Sequence, residues 1–540
     1  MDLKELPQWT RNRALRRCAH IALILLVALS ASAILCLTQC FSFSPLFSAD
    51  NLFWTDGSIY AVFARMMAEG KVPYVDILDI KGPYMYGYSY LGYLIHPTYG
   101  YLVTQMFSTA LLLALTYETL DLVGCRGIYR WTAMGLMTLG TCIAIEGNNA
   151  DDSFLFLIAL CLWCLVRVGR TDRAGRSAIL ALLCGLALGI EFLTRASNAI
   201  IPGVCACLMV AIPAERKRLK QTLAIVGAGV AGIAVACVIP MAIYAGLGHF
   251  EAFCDWNFVY PFTYVAGHIV RAEKLWIIVL LTLALVATLV PVILLRKNME
   301  RDTFIGMLVL LILQYLAGAS TYQIIRHLRG AFPVYTLALA VCFTAWNQHQ
   351  AARMSNEAEK LIEETPKGSR TIEAKPQNLA KPNRHRLQKA FLTLSALAVP
   401  LVYTASSLVF YRTDIPTGYR IQRELAQVGQ AIPSEDREAG TVLAIDINPG
   451  IYGILNTVPD FPVPALQSWN ETFVPDIEQR VVDYVEDEAS WVIVRDSEYE
   501  HSEITPIYRR PALYEALEAG FQMRLDLSHP GVYTTWERIS

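Results

Sequence analysis

Asp56, Arg65, Asp76, Asp79 and Lys81 lie among tyrosines and prolines in one stretch, WTDGSIYAVFARMMAEGKVPYVDILDIKGP, residues 54–83. The stretch is too polar to cross a membrane and too apolar to be a plain solvated loop. Charge held at the edge of a bilayer is costly and needs a reason. Other charges fall at ends of apolar runs that should reach the same face. These are Glu146, Asp151 and Asp152 in EGNNADD, then Arg195, then Arg326, His327 and Arg329. Each alone reads as a snorkelling or loop charge. Together they set acids and bases at one depth around one cavity mouth. That is the electrostatics expected for an anionic, membrane-embedded substrate handled by a carboxylate.

Two short elements must hold the first group. Ile59, Val62, Phe63, Met66 and Met67 fall at i, i+3, i+4, i+7 and i+8, one apolar helix face. Asp56 starts that helix and Gly70 stops it, and the helix should lie in the membrane interface. Asp56 also reads as a simple N-cap, accepting backbone N–H bonds. The two roles are compatible, since a capped carboxylate is well fixed. Gly82 to Ile95 is rich in tyrosine, short, and expected to be a second interfacial helix. Were it to cross, Arg126 and Arg130 would move outside.

The chain around them is a polytopic α-helical membrane protein. Of 540 residues, 54% are hydrophobic and 17% charged, against roughly 25% charged in soluble domains. Apolar runs near 20 residues recur along most of the length. Eleven spans are expected, at 19–39, 100–122, 131–147, 152–167, 177–194, 198–213, 222–246, 274–296, 302–320, 325–345 and 390–411. Odd parity puts the termini on opposite sides. Arginines 11, 13, 16 and 17 precede the first span and place the N-terminus in the cytoplasm. Arg167, Arg170, Arg173 and Arg176, then Arg216, Lys217, Arg218 and Lys220, keep the expected inner loops basic. The site charges stand out as exceptions to that bias. The expected locale is the plasma membrane.

Residues 1–345 form the membrane region, with a first outer loop at 40–99. Residues 346–389 are polar and read as a flexible cytoplasmic linker, and 390–411 returns the chain outside. The tail, 412–540, has globular patterning. TVLAIDI (441–447) and WVIVRD (491–496) read as buried strands, Asp476 to Glu488 as a helix, and Phe521–Leu527 with Val532–Trp536 as a hairpin. A small extracytoplasmic α/β domain results, expected to cover or shape an entrance. Thirteen cysteines sit mostly in apolar runs and read as small hydrophobes. The Cys161–Cys164 pair lies on a span and reads as packing. No zinc spacing, Walker loop or dinucleotide fingerprint is present, and no nucleic-acid partner is expected.

An Asp after the first span, then YAVFARMMAEGKVPYVD, then an acid-x-Lys-x-Pro resembles the GT-C membrane glycosyltransferases. The pattern is similar to the protein O-mannosyltransferase and lipid A aminoarabinose transferase branch. Asp56, Tyr60, Ala64, Arg65, Gly70, Asp79, Lys81 and Pro83 match its motif. Gly57 stands where the family has Glu, and Gly82 where it has the first Pro. The resemblance runs over about residues 15–345, through the NNADDSFLFLIALCLWCLVR span to Arg329 and Pro333.

The resemblance implies a polyprenyl-phosphate-linked sugar as donor and an acceptor hydroxyl outside the cytoplasm, on a protein, lipid or glycan. It implies that Asp56 is the general base for inverting attack at the anomeric carbon. Lys81 is the first candidate to meet the departing lipid phosphate, followed by Arg195, then Arg326 or Arg329, with His327 beside them. Asp79 would orient Lys81, Asp151 or Asp152 would bind acceptor or sugar, and Tyr60 and Arg65 would support the site. No cofactor is required. Some branches of the fold use a divalent cation with paired acids, and Asp151–Asp152 is the pair that would hold one. Two other classes fit many spans with interfacial charges: a transporter of a lipid-linked glycan, and a non-catalytic relative of the fold. A transporter should show internal repeats, and none is clear.

Overall fold

A computed structural model describes residues 56–144, 147–267, 275–319, 324–363, 414–495 and 510–539, with part of 22–33 and with isolated gaps in the C-terminal part. The expected first span is therefore described only in part, and the expected span 390–411 lies outside the described residues.

Two short helices follow, α1 (Asp56–Ala68) and α2 (Pro83–Ile95), of 13 residues each. At about 1.5 Å per residue each is near 20 Å long, too short for a bilayer core. The apolar face of α1 is buried at Ile59, Val62, Phe63 and Met66, with Met67 half-buried. Gly70 ends it with φ +88°, a left-handed stop that suits glycine. Gly82 and Pro83 start α2, because proline tolerates the first helical turn.

The bundle follows: α3 (Gly100–Leu122), α4 (Ile128–Ala144), α5 (Leu155–Gly169), α6 (Ala174–Thr194), α7 (Ile200–Glu215) and α8 (Leu219–Gly246). Beyond a bend come α9 (Phe250–Cys254), a π-helical turn (Asp255–Val259), α10 (Tyr260–Gly267), α11 (Leu275–Leu294), α12 (Arg301–Ala319) and α13 (Ile324–Glu363). Among the described residues, five helices are long and apolar enough to cross a membrane: Gly100–Leu122, Ala174–Thr194, Ala196–Glu215, Leu219–Gly246 and Gly330–Asn356. On α8, Leu223, Val226, Val230, Ile239 and Ile243 are exposed. Apolar side chains turned outward over that length suit lipid, not water.

Small residues set the contact between α6 and α8. Gly185 of α6 meets Gly229 of α8 so tightly that a Cβ at Gly185 would lie 2.1 Å from the Gly229 carbonyl oxygen. Without a hydrophobic drive between helices in lipid, such close backbone approach is what holds them. Cys161 and Cys164 are buried on α5, and the Cys161 thiol donates to the Cys184 carbonyl of α6.

α13 corrects one expectation. It continues to Glu363, so residues 346–363 are helical rather than flexible linker. The sequence there, WNQHQAARMSNEAEKLIE, is rich in strong helix formers, and they outweigh its polarity.

The C-terminal part holds a four-stranded sheet in the order β1-β2-β4-β3. β1 (Val442–Ile445) and β2 (Trp491–Arg495) are parallel, and β4 (Tyr533–Arg538) runs antiparallel to β2 and to β3 (Phe521–Met523). The helices are α14 (Asp414–Ala431), α15 (Ser434–Ala439), α16 (Ile451–Leu455), α17 (Asn470–Phe473), α18 (Ile477–Asp487) and α19 (Pro511–Gly520). β1 and β2 are buried on both faces, which parallel strands require. The expected hairpin is shorter than its pattern. Its first strand ends at Met523, and Leu525–Leu527 turns into a 3-10 helix.

Candidate active site

The site begins where α1 begins. Asp56 is the first residue of α1, at the positive end of the helix. The loop between α4 and α5 closes over it. Gly147 and Asn148 turn left-handed, with φ of 80° and 48°. That turn aims the buried Asn148 amide back, so that its Nδ2 donates to the Gly57 carbonyl at 3.0 Å. Ser89 of α2 donates to Asn148 Oδ1 at 2.8 Å. Gln105 of α3 accepts from the Asn148 backbone N–H at 3.3 Å and from Ser153 at 3.1 Å. Three helices and the loop are thus tied at one point. The Asn149 amide reaches Asp56 Oδ2 at 3.4 Å, and its oxygen accepts the Asp151 N–H at 3.0 Å.

The adjacent acids take different partners. Asp151 is 5% exposed and holds Arg195 at 2.5 Å, with Asn198 at 3.4 Å. Asp152 accepts the Gly147 N–H at 2.9 Å and so shapes the loop. Among the described residues, no group of three or more His, Cys, Asp or Glu side chains is gathered as for a metal ion.

Asp79 and Lys81 arrive from the segment before α2. Asp79 is 3% exposed, and its Oδ1 accepts the Lys81 backbone N–H at 3.1 Å. The carboxylate therefore shapes the Lys81 backbone, while the ammonium acts on it through space. Burial pushes the Asp79 carboxyl up to about 6; Lys81 opposes that and Asp56 adds to it. The Lys81 ammonium makes no ion pair among the described residues. Gly82 has a steric reason to replace proline. A Cβ there would lie 1.4 Å from the Leu193 carbonyl oxygen, at the end of α6. This contact brings the Lys81 segment against the helix that ends at Arg195.

Tyr60 sits in the middle. It is 1% exposed, and burial, then the negative Asp56 and Asp79, push its phenol well above the ordinary range. Arg195 and Asp151 act on the same hydroxyl. Asp56, Tyr60, Asp79, Lys81, Asp151 and Arg195 are thus brought together, and Asp152 supports the loop.

Arg65 takes its partners outside the cluster. It faces away from the cluster, where its guanidinium donates to the Tyr452 carbonyl at 3.3 Å and to Asn456 Oδ1 at 2.5 Å. Arg326, His327 and Arg329 fall on the first turns of α13, and their side chains lie outside the described residues. Sequence reasoning missed Asn148, Asn149, Gln105, Asn198 and Glu191. Glu191 had the clearest signal, an acid inside the apolar run of α6, which marks a functional candidate by default. It is 1% exposed, neither carboxyl oxygen makes a well-formed hydrogen bond, and Asp151 and Asn198 lie close by.

No protein-family model matches the sequence, and no curated protein matches it. Solved structures do. ArnT from Cupriavidus metallidurans bound to undecaprenyl phosphate is similar over 97% of this chain and 98% of its own, with TM-score 0.57 and 12% identity. The apo state of the same protein gives TM-score 0.57 and 13% identity over the same spans. The Archaeoglobus fulgidus oligosaccharyltransferase is a looser likeness, at TM-score 0.43 and 12% identity over 87% of this chain and 68% of its own. A backbone match end to end with the first of these, on so little shared sequence, makes this chain a protein of the GT-C fold.

Proposed function

We propose that the protein is a membrane glycosyltransferase. It moves a sugar from a polyprenyl-phosphate donor to an acceptor hydroxyl of a protein, lipid or glycan, outside the cytoplasm. The convergence of Asp56, Asp79, Lys81, Asp151 and Arg195 around the buried Tyr60 carries the proposal. A buried cluster of acids and cations at the end of spanning helices is costly and marks a functional site by default.

In this scheme Asp56 takes the proton of the acceptor hydroxyl. The oxygen bonds to the anomeric carbon from the face opposite the leaving group, so the configuration inverts. The bond from that carbon to phosphate oxygen breaks, and polyprenyl phosphate leaves with the electron pair. Atoms and charge balance without a cofactor. Lys81, with no carboxylate bonded to its ammonium among the described residues, meets the phosphate as charge develops. Arg195 is committed to Asp151 and orients that acid toward sugar or acceptor. On the family resemblance, Arg326, His327 and Arg329 are the further candidates for the donor phosphate. The likeness to a protein crystallised with undecaprenyl phosphate supports a lipid phosphate as the leaving group. The basic loops support a plasma-membrane orientation with the N-terminus inside and the C-terminal domain outside.

The test uses purified protein in nanodiscs with radiolabelled polyprenyl-phosphate sugars. Wild type should release free polyprenyl phosphate, while Asp56→Asn should bind donor and release none. Equal release by both would remove Asp56 as the base. Passage of intact glycolipid across sealed vesicles, without cleavage, would replace the transferase with a transporter.

A further inference from the structure

Arg65 is not an isolated case. Lys71 forms an ion pair with Asp460, and the Leu78 N–H donates to the Pro462 carbonyl at 3.0 Å. Three points of the chain between Arg65 and Leu78 thus meet one segment of the C-terminal domain, Tyr452 to Pro462. A fourth contact lies beside them, the stacked rings of Tyr260 and Phe473 with centroids 5.2 Å apart. On its other side the same loop is held by Tyr74, whose hydroxyl donates to the Lys81 carbonyl at 2.8 Å and meets Asn257 at 3.3 Å.

These ties have a common geometry. α1 is a rigid rod with Asp56 at one end and Arg65 about 13 Å along its axis. Fixing the Arg65 end fixes the direction in which the rod presents Asp56. Leu78 is the residue next to Asp79, so its bond to Pro462 fixes the backbone that carries the second carboxylate. The Lys71–Asp460 pair is partly exposed, with side chains 31% and 48% accessible, so it adds little by itself, whereas reversing one of its charges sets like charges against each other. The two contacts to backbone carbonyls, from Arg65 and Leu78, define the register.

We infer that the C-terminal domain is a brace for the catalytic loop, with Arg65, Lys71, Asn456 and Asp460 as positioning residues that hold Asp56 and Asp79 in place. This rests on the transferase function proposed above. The domain then acts on turnover through the loop, without touching substrate.

The full-length protein in nanodiscs provides the test. Lys71→Asp, Asp460→Lys and the double swap are compared with Arg65→Ala and the milder Asn456→Ala. Backbone hydrogen exchange is followed over residues 56–81, and turnover by release of polyprenyl phosphate. Each single change should speed exchange in that stretch and lower kcat about tenfold, with KM for donor changed less. The double swap should slow exchange again and recover most of kcat. Wild-type exchange and wild-type kcat in the single variants would overturn the brace. So would faster exchange with unchanged kcat, which is what a merely structural contact gives. If a variant fails to fold, Asn456→Ala, which removes one acceptor and no charge, decides. If wild type releases no polyprenyl phosphate, the transferase function fails. The exchange data then judge the brace alone, and wild-type protection in every variant overturns it.

Discussion

Two buried aspartates, Asp79 in the membrane part and Asp446 in the C-terminal domain, are both raised to about 6, chiefly by burial. Their neighbours differ. Asp446 follows β1 with φ 54°, is 1% exposed, and faces Arg510 at 3.4 Å, with Arg495 as a second cation. Arg510 also holds Glu478 at 3.1 Å. The arginines belong to the same domain and answer the charge locally, so the cluster pins the ends of two parallel strands. Asp79 instead faces another acid, Asp56, and a lysine with no ion-pair partner among the described residues. Burial alone therefore does not distinguish a strut from a working group. The distinction lies in whether the neighbouring cation is spent on ion pairs, as Arg510 is, or is left without one among the described residues, as Lys81 is.

Substitutions should separate the two. The largest effect on transfer belongs to Asp56→Asn, which should lose on the order of 10²–10⁴-fold in turnover with its unfolding midpoint unchanged. Asp446→Ala should do the reverse. Removing one partner of a buried pair costs about 3 kcal/mol, seen as a lower denaturant midpoint for the C-terminal domain, while turnover per folded molecule stays at the wild-type value.

Acidity gives a finer test. A folded-state carboxyl raised above its ordinary value holds its proton more tightly than the unfolded chain does. Asp79 and Asp446 each favour the folded state below the ordinary range near about 4, and that contribution is lost as pH rises through about 6. Asp79→Asn should flatten its share of this slope in a melting series. Turnover should instead fall as pH drops through about 6, because the Asp79 carboxylate shapes the Lys81 segment; in Asp79→Asn that limb should move to lower pH. If Asp446→Asn moved the limb as well, the contrast between the two acids would fail. The smallest effect is expected of Glu191→Gln. It keeps the shape of a buried side chain beside Asp151 and Asn198, and should change turnover no more than a few-fold, with the fold intact by gel filtration.

Much of the membrane part was legible. The spacing of Ile59, Val62, Phe63 and Met66 marks α1, Gly70 its stop and Gly82–Pro83 the start of α2, because these signals are local. The grouping of acids and bases at one membrane face rested on counting spans, and for the described residues it gathers Asp56, Asp79, Lys81, Asp151 and Arg195. Local signals could not reveal the partner of Arg65, which is 391 residues away in sequence. Asn148 was unreadable for another reason. Its role depends on a left-handed turn that places one amide between a carbonyl of α1 and a hydroxyl of α2. At α13 polarity misled, since a polar run of good helix formers can continue a helix past the apolar part.

The bond between Arg65 and Asn456 also has a meaning in time. A ribosome finishes the loop that carries Asp56 and Asp79 long before it makes Tyr452 to Pro462. The delay is one of synthesis. Throughout that interval the nascent chain already carries its lysine and carboxylates at the membrane, but not the segment that sets their spacing. A product truncated before Tyr452 should therefore sit in the bilayer with faster backbone exchange over residues 56–81 than the full chain.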